Sequence, residues 1–323
     1  MKKYLKMLSL LAVIAGFSSC LKDKAIIASD PQNIIEFYTT EAISSPTTAL
    51  YPVYVKSYVV GKPAKIDVVV SYSGTNTAPQ DITLDVAVDP TALTKYNTKA
   101  AADGNTEYEQ LPASAYTFPT APVVIKKGER RATVTVDVLI PADFDFNKSF
   151  ALPLTIKSTT FGTISGNFGS TLYAVGAKNK YDGEYKVEGT MVDNANSAIT
   201  GRYPMNYYLI TQTSTTNVLF DYVYAHTYGH QITSGGGPSY YGSFSPVFTF
   251  DAAGNITKVV NYYGQPASNG RSAQLDPSGV NKFTSGTPGE VGSKFQVKYF
   301  LLQPGSTVRT AFDETFTYVG STP

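Results

Sequence analysis

The amino-acid sequence predicts an all-β protein with two domains. Its 323 residues include 24 Tyr and 17 Phe but no Trp, together with 26 Gly and 19 Pro. Aromatic and β-branched residues favour strands, while Gly and Pro favour the turns between strands. Several segments also alternate apolar and polar residues with a period of two, which is typical of half-buried strands in a sandwich. The chain is long enough to form two hydrophobic cores.

The strands are predicted in order along the chain, beginning with Ile34–Phe37. Alternation is present in Lys65–Tyr72 and Ile82–Val88, and it is clearest in Arg131–Ile140, where Ala, Val and Ile occupy every second position. Gly128 precedes the last of these strands and can adopt a positive φ, which predicts a turn there.

Three segments depart from this simple pattern. Thr91–Ala101 is compatible with a helical turn or two. Phe150–Ile156 is predicted as a strand, but Pro153 has no backbone N–H, so we expect a sheet edge or a bulge. The alternation lapses at 174–180, which predicts the domain boundary.

The first nineteen residues have the layout of a signal peptide. Lysines at positions 2, 3 and 6 precede an apolar run over 7–17, and two serines come directly before Cys20. This run is shorter than the roughly 20 apolar residues that a membrane-spanning helix needs. We therefore expect residues 1–19 to be removed, which takes the formal net charge from +1 to −2 because three lysines are lost.

Cys20 is the only cysteine, so the chain can form neither an internal disulfide nor a Cys-based redox pair. Phe17–Cys20 resembles the relaxed lipobox of Bacteroidota lipoproteins, which implies that the Cys20 thiol is acylated. A signal peptide with a coincidental cysteine is the alternative. Acyl chains contribute about 0.8 kcal/mol per buried CH2, enough for several chains to hold the protein on a membrane. Leu21–Lys24 partly resembles the signal for the outer face of the outer membrane, so we expect a lipid-anchored protein that faces the cell exterior.

The N-terminal region carries motifs that point to a known family. Asp89–Asn97 contains a Leu-x-x-Tyr-Asn motif, and Leu111–Tyr116 contains Leu-Pro-x-x-x-Tyr. With Val124–Gly128 and Ala151–Ile156, they resemble the N-terminal immunoglobulin-like domain of unknown function (DUF1735-like) of Bacteroides surface lipoproteins. The resemblance implies an immunoglobulin-like β-sandwich over residues 33–175, after a lipid-anchored tether over 20–32.

The second half of the chain has a weaker resemblance to the same proteins. It opens with a Tyr-x-Gly-x-Tyr motif at Tyr181–Tyr185 and ends on alternating strands at Lys294–Leu302 and Thr315–Tyr318. It is similar to the C-terminal domain that often follows the first one in these lipoproteins. That resemblance implies a lipocalin-like β-barrel over residues 181–323.

Few residues carry chemistry. The chain has two histidines, His226 and His230, which an extended strand would separate by about 13 Å, so we interpret them as polar loop residues and expect no metal site. The carboxylate pairs Glu107 with Glu109 and Asp143 with Asp145 are interpreted as solvated turn residues. No run of Lys and Arg suggests nucleic-acid binding. We expect no cofactor.

A tyrosine-rich segment is the remaining candidate site. Ten tyrosines lie between Tyr203 and Tyr263. Tyr222 and Tyr224 alternate with Val218 and Phe220, which predicts that both are core residues. The predicted ligand-binding residues flank the glycine run 235–237, because aromatic rings with polar tips can lie against a sugar; ordinary packing is the alternative. These residues are Tyr228, His230, Tyr240 and Tyr241.

The resemblance to Bacteroides lipoproteins implies a non-enzymatic surface protein that binds a polysaccharide and passes it to a neighbouring import complex of a polysaccharide-utilisation system. A structural or adhesive protein that contacts host or partner proteins is the alternative, and an exposed apolar patch of about 400 Å² or more would favour it. A glycosidase would need two carboxyl groups about 5 to 10 Å apart across one cleft.

Overall fold

The computed structural model describes residues 33–322 and confirms an all-β fold, a sandwich followed by a barrel-like sheet. Within these residues, no helix is long and apolar enough to cross a membrane. Residues 33–178 contain eleven strands. They are β1 Ile34–Tyr38, β2 Val53–Val59, β3 Ala64–Ser73, β4 Ile82–Val88, β5 Glu109–Gln110, β6 Tyr116–Thr117, β7 Val123–Ile125, β8 Arg131–Val138, β9 Phe150–Thr159, β10 Thr163–Ile164 and β11 Ser170–Lys178.

These strands form two sheets that pack face to face. One sheet has the order β10-β1-β3-β8-β6, and the other has the order β2-β11-β9-β4-β7, with β5 paired to β9. Val68 and Val136 from the first sheet share one buried cluster with Leu84 and Leu154 from the second. The alternation in β3, β4 and β8 thus places every second side chain between the sheets.

The predicted helical turn is a longer helix, α1, which spans Pro90–Asp103. The Asp89 side chain accepts the Thr91 N–H at its start, and Gly104 ends it in the left-handed conformation at φ 69°. The Asn97 side chain bonds both the N–H and the carbonyl of Tyr108. The Tyr-Asn motif therefore holds α1 to the segment that follows it.

The prediction that Pro153 marks a sheet edge is wrong, because β9 lies inside its sheet between β11 and β4. The Pro153 carbonyl accepts the Asp89 N–H. Since the N and O of one strand residue point to the same side, the missing N–H of Pro153 also faces Asp89, where β4 has ended. No ladder bond is lost there. The register shift in β9 lies beyond Pro153, opposite Asp85 and Val86.

Residues 179–322 contain twelve strands. They are β12 Gly183–Asp193, β13 Thr200–Gly201, β14 Met205–Thr211, β15 Thr216–Phe220, β16 Gln231–Ser234, β17 Gly237–Tyr240, β18 Pro246–Phe250, β19 Ile256–Asn261, β20 Ser272–Leu275, β21 Lys282–Ser285, β22 Lys294–Leu302 and β23 Val308–Gly320.

Nine of these strands form a sheet that curls into a nearly closed barrel. Its order is β19-β18-β15-β14-β12-β23-β22-β20, with β21 paired to β22. Phe295 is fully buried at the centre, stacked on Phe316 at 4.5 Å and surrounded by further aromatic rings. The rings nearest to it, within 5.7 Å, belong to Tyr185, Phe250 and Phe283.

At the closure of the barrel, the start of β19 joins the β21 side through a backbone bridge between Asn255 and Lys282. Further along, β19 meets β20. Among residues 33–322, no hydrogen-bonded ladder joins these two strands. Instead, the Gln265 Oε1 atom accepts the N–H groups of Asn261 in β19 and Ala273 in β20, each at 3.0 Å, and its Nε2 donates to the Ala273 carbonyl. A groove of about 510 Å³ lies over this contact.

Candidate functional site

One end of the barrel gathers most of the polar and aromatic side chains that are candidates for function. We call it the cap end, and it comprises the loops 194–204, 221–230, 241–245, 261–271 and 303–308 with the small sheet β13-β16-β17. Gly235 and Gly236 form the two-residue turn between β16 and β17, with φ values of 60° and 79°. Positive φ at both turn positions is typical of a tight hairpin.

A buried acid-base network lies beneath the small sheet. The Glu314 Oε1 atom lies 2.6 Å from His230 Nε2 and accepts the Tyr203 hydroxyl at 2.6 Å, while Oε2 accepts the Tyr299 hydroxyl at 2.7 Å. His230 Nδ1 faces the Gln231 carbonyl at 2.8 Å. Both ring nitrogens of His230 therefore face oxygen atoms inside the protein.

The interpretation of His230 as a polar loop residue fits its position in the loop 221–230, but its side chain is fully buried. His226 fits that interpretation and lies exposed in a turn. Buried polar groups need hydrogen-bond partners, and His230 obtains one from Glu314, which is 84 residues away in the sequence. Because this partner is so distant in the sequence, no short segment around His230 indicates that its side chain is buried.

The prediction that Tyr222 and Tyr224 are core residues is wrong. Strand β15 ends at Phe220, and the buried Asp221 carboxylate then accepts the N–H groups of residues 223, 224 and 225. This carboxylate also accepts the Gln231 amide. Asp221 therefore turns the chain out of the sheet, and the Tyr224 side chain is 42% exposed.

Tyr241 is buried at the mouth of the barrel. Its hydroxyl bonds the Asp193 carboxylate and the Thr310 hydroxyl. Burial acts to raise the pKa of Asp193, but the hydrogen bonds from Tyr241 and two backbone N–H groups, together with Arg309, hold this pKa below its ordinary value. The mouth thus contains a carboxylate that stays ionised.

A row of aromatic rings lies on the outside of the barrel at this end. Tyr228 stacks on Tyr262 with ring centroids 4.2 Å apart, and the Tyr263 hydroxyl donates to the Tyr228 carbonyl. Tyr262 and Tyr263 are each 40% exposed, and Tyr240 is 42% exposed. Tyr240 also lies against Gly229, the neighbour of Tyr228. We call Tyr228, Tyr240, Tyr262 and Tyr263 the aromatic row.

The structure therefore separates the four predicted ligand-binding residues into two layers. Tyr228 and Tyr240 belong to the exposed aromatic row, where ligand contact stays a prediction. His230 and Tyr241 are buried, and their polar atoms are bonded inside the protein, so we correct their role from ligand contact to support of the cap end. Tyr262 and Tyr263 were not among the predicted residues. The available signal was a pair of tyrosines directly after a strand.

The other candidates are isolated surface groups. Glu109 pairs with Lys148 at 2.9 Å, and Asp145 accepts the Asn147 N–H in a local turn. Among residues 33–322, no group of three or more His, Cys, Asp and Glu side chains could hold a metal ion. Cys20, the predicted lipidation site, lies outside the described residues.

Tyrosines with a raised pKa should make the stability of the fold depend on pH in the alkaline range. Burial and the hydrogen bond to Glu184 raise the pKa of Tyr222 to about 12. The folded state keeps a proton that the unfolded state loses near pH 10, so this stabilisation is complete below about pH 10 and is lost as the pH rises towards 12. We expect steep alkaline unfolding by circular dichroism with concurrent tyrosinate absorbance. Tyr222→Phe should make the loss of stability with rising pH shallower. An unchanged pH dependence of stability would contradict the raised pKa of Tyr222.

Comparisons with known proteins address the N-terminal region most directly. A family model for an N-terminal domain matches residues 37–161. No curated protein matches the chain. The family match lies inside the predicted sandwich, residues 33–175.

Several solved structures are similar to the chain. A Bacteroides ovatus protein of unknown function is 15% identical, with a TM-score of 0.49 and coverage of 90% of this chain and 95% of that one. A multidomain Bacteroides ovatus protein that includes DUF1735 is 14% identical, with a TM-score of 0.42 and coverage of 88% and 93%. EndoBT-3987 of Bacteroides thetaiotamicron, solved with a Man5GlcNAc product, is 19% identical, with a TM-score of 0.33 and coverage of 39% and 28%.

Identities and scores this low do not show a shared function. The family match over residues 37–161 supports a distinct N-terminal domain in this part of the chain.

Proposed function

We propose that this chain is a non-enzymatic, lipid-anchored surface protein that binds a polysaccharide through the aromatic row. The exposed row carries the proposal: the rings of Tyr228, Tyr262 and Tyr263 contact one another in sequence, Tyr240 lies beside them against Gly229, and three of the four are at least 40% exposed. Aromatic rings bury a large area at low cost in side-chain entropy, and a tyrosine adds a polar tip to this apolar face. A face of this kind suits sugar rings.

The carboxylates at the cap end support binding rather than hydrolysis. Asp193, Asp221 and Glu314 are all buried, and each accepts hydrogen bonds from neighbouring side chains. A glycosidase instead needs two carboxyl groups that face the same sugar across an open cleft. These three groups stabilise the loops that carry the aromatic row.

The anchor and the partner complete the proposal. Acylation of Cys20 would hold the chain on the outer membrane, with the sandwich as a spacer between the lipid and the barrel. A polysaccharide on the aromatic row would then pass to a neighbouring import complex. Metabolic labelling with a fatty acid tests the anchor, because Cys20→Ala should remove both the label and membrane retention. A label that persists in this variant would contradict acylation at Cys20.

Affinity electrophoresis tests the binding site. The chain without its signal peptide is run against a panel of plant, fungal and host polysaccharides. We expect retardation by one of them, weakened roughly tenfold in Tyr240→Ala and Tyr262→Ala, because loss of an aromatic anchor typically costs more than about 1 kcal/mol. Both side chains are exposed, so the fold should tolerate these changes.

The control for this experiment is Phe168→Ala, which removes a 37% exposed aromatic ring from the sandwich. It should leave the retardation unchanged. Retardation that is lost in this variant, or kept in both tyrosine variants, would exclude the aromatic row as the site. If no polysaccharide retards the chain, the adhesive role becomes the better explanation.

A further inference from the structure

Two arginines converge at the mouth of the barrel, next to the aromatic row. The Arg271 and Arg309 guanidinium carbons lie 5.3 Å and 5.6 Å from the centroid of the Tyr241 ring. Arg271 Nε and Arg309 Nη1 both donate to the same acceptor, Gln303 Oε1, at 3.1 Å and 2.5 Å. Two positive side chains therefore share one neutral oxygen atom.

The nearby negative charge balances only one of these arginines. Asp193 Oδ2 lies 3.3 Å from Arg309 Nε and also accepts the hydroxyls of Tyr241 and Thr310. Its Oδ1 atom accepts two backbone N–H groups. With both oxygens occupied, Asp193 has little capacity left for Arg271.

Arg271 has only neutral partners among the described residues. Its Nη1 donates to the Gly242 carbonyl, and its Nε donates to Gln303. Burial and the nearby Arg309 lower the pKa of Arg271, but a guanidinium stays protonated at neutral pH. The mouth of the barrel therefore has an uncompensated positive charge, and the donors of Arg271 that the described residues do not use are Nη2 and the second N–H of Nη1.

This charge lies close to the aromatic row. Tyr262 is the first residue and Arg271 the last residue of one loop. The Asn261 Nδ2 atom donates to the Arg271 carbonyl and to the Ser243 carbonyl. Asn269 Nδ2 donates to the carbonyl of Gly242, two residues after Tyr240. These bonds join the two loops that carry the exposed rings and the guanidinium.

We propose that the polysaccharide is acidic, and that Arg271, supported by Arg309, binds the carboxylate of a uronic acid unit. This inference depends on the glycan-binding function proposed above. A guanidinium matches a carboxylate through two parallel hydrogen bonds, which gives both orientation and affinity. A sulfate ester presents a similar charge but is not planar, so it is the alternative source of the anion.

Matched polymers test the proposal. Binding of the chain without its signal peptide is measured by affinity electrophoresis to polygalacturonic acid, to its carboxyl-reduced neutral form and to a sulfated galactan. We expect binding to the uronic acid polymer to be at least roughly tenfold tighter than to the other two, and to weaken as salt is added. Arg271→Gln should remove this preference.

Two further variants separate the charge from the fold. Arg271→Lys keeps the charge but loses the two parallel donors, so it should lose most of the preference. Gln303→Glu places a carboxylate between the two guanidinium groups, which should block binding of the acidic polymer while the melting temperature is maintained. Arg131→Gln, on the sandwich, is the control for net charge and should change nothing.

The outcomes distinguish the two proposals. Equal binding to the acidic and the neutral polymer, or an unchanged preference in Arg271→Gln and Gln303→Glu, would overturn the uronic acid assignment and leave glycan binding intact. A preference for the sulfated polymer would overturn it in favour of sulfate esters. No binding to any polysaccharide would overturn both proposals.

Discussion

Glu314→Ala is expected to lower the free energy of unfolding by about 3–5 kcal/mol, the typical cost of removing one partner from a buried charged network. The change would leave His230 Nε2 and the hydroxyls of Tyr203 and Tyr299 without the acceptor that they share. Buried polar groups without partners lose their hydration and gain nothing in return. Denaturant unfolding, followed by near-ultraviolet circular dichroism of the tyrosines, measures the effect.

Two variants control for this result. Glu314→Gln keeps the shape and one acceptor oxygen, so its loss should be smaller than that of Glu314→Ala. Glu188 on β12 is exposed and pairs with Lys186, so Glu188→Ala should change stability by less than about 0.5 kcal/mol. If Glu314→Ala were as mild as Glu188→Ala, the network would not stabilise the barrel.

Phe295→Ala is expected to cost about 3–5 kcal/mol, because truncation of a buried Phe removes its burial energy and leaves a cavity. Phe295 is fully buried, and its stacked partner Phe316 lies across a strand pair at 4.5 Å. The surrounding rings belong to several different strands, so no single strand can shift to fill the space. The same unfolding experiment measures this loss.

Phe295→Leu is the matched variant, because Leu keeps much of the apolar volume and should cost clearly less than Ala. Phe168→Ala removes a partly exposed ring from the sandwich and should have little effect. A small loss in Phe295→Ala would mean that the barrel core rearranges around the missing ring.

Local sequence pattern was sufficient to predict five of the eleven strands of the sandwich, namely β1, β3, β4, β8 and β9. In β3, β4 and β8 the alternation of side chains is set by the strand geometry itself, so it is visible in any short window. Pro153 shows the limit of this reasoning. Its tolerance inside a sheet depends on where β4 ends, and that position is fixed by the helix cap at Asp89.

The candidate site was predictable only in part, for the same physical reason. The tyrosine-rich segment was correctly identified as unusual, and Tyr228 and Tyr240 do lie in the aromatic row. The burial of His230 and Tyr241 depends on Glu314 and Asp193, which lie 84 and 48 residues away. The Arg271 and Arg309 pair was missed because these two residues become neighbours only when the barrel closes.

Between β19 and β20, the Gln265 side chain takes the place of a ladder of backbone hydrogen bonds. A ladder would have to break one backbone bond after another, whereas the Gln265 side chain supplies the bonds between β19 and β20; the start of β19 is held separately, by a backbone bridge between Asn255 and Lys282. The loop that contains Gln265 begins with Tyr262 and ends with Arg271. A ligand that moves this loop would therefore also change the contact between β19 and β20. Binding at the cap end and the local stability of the barrel would then change together.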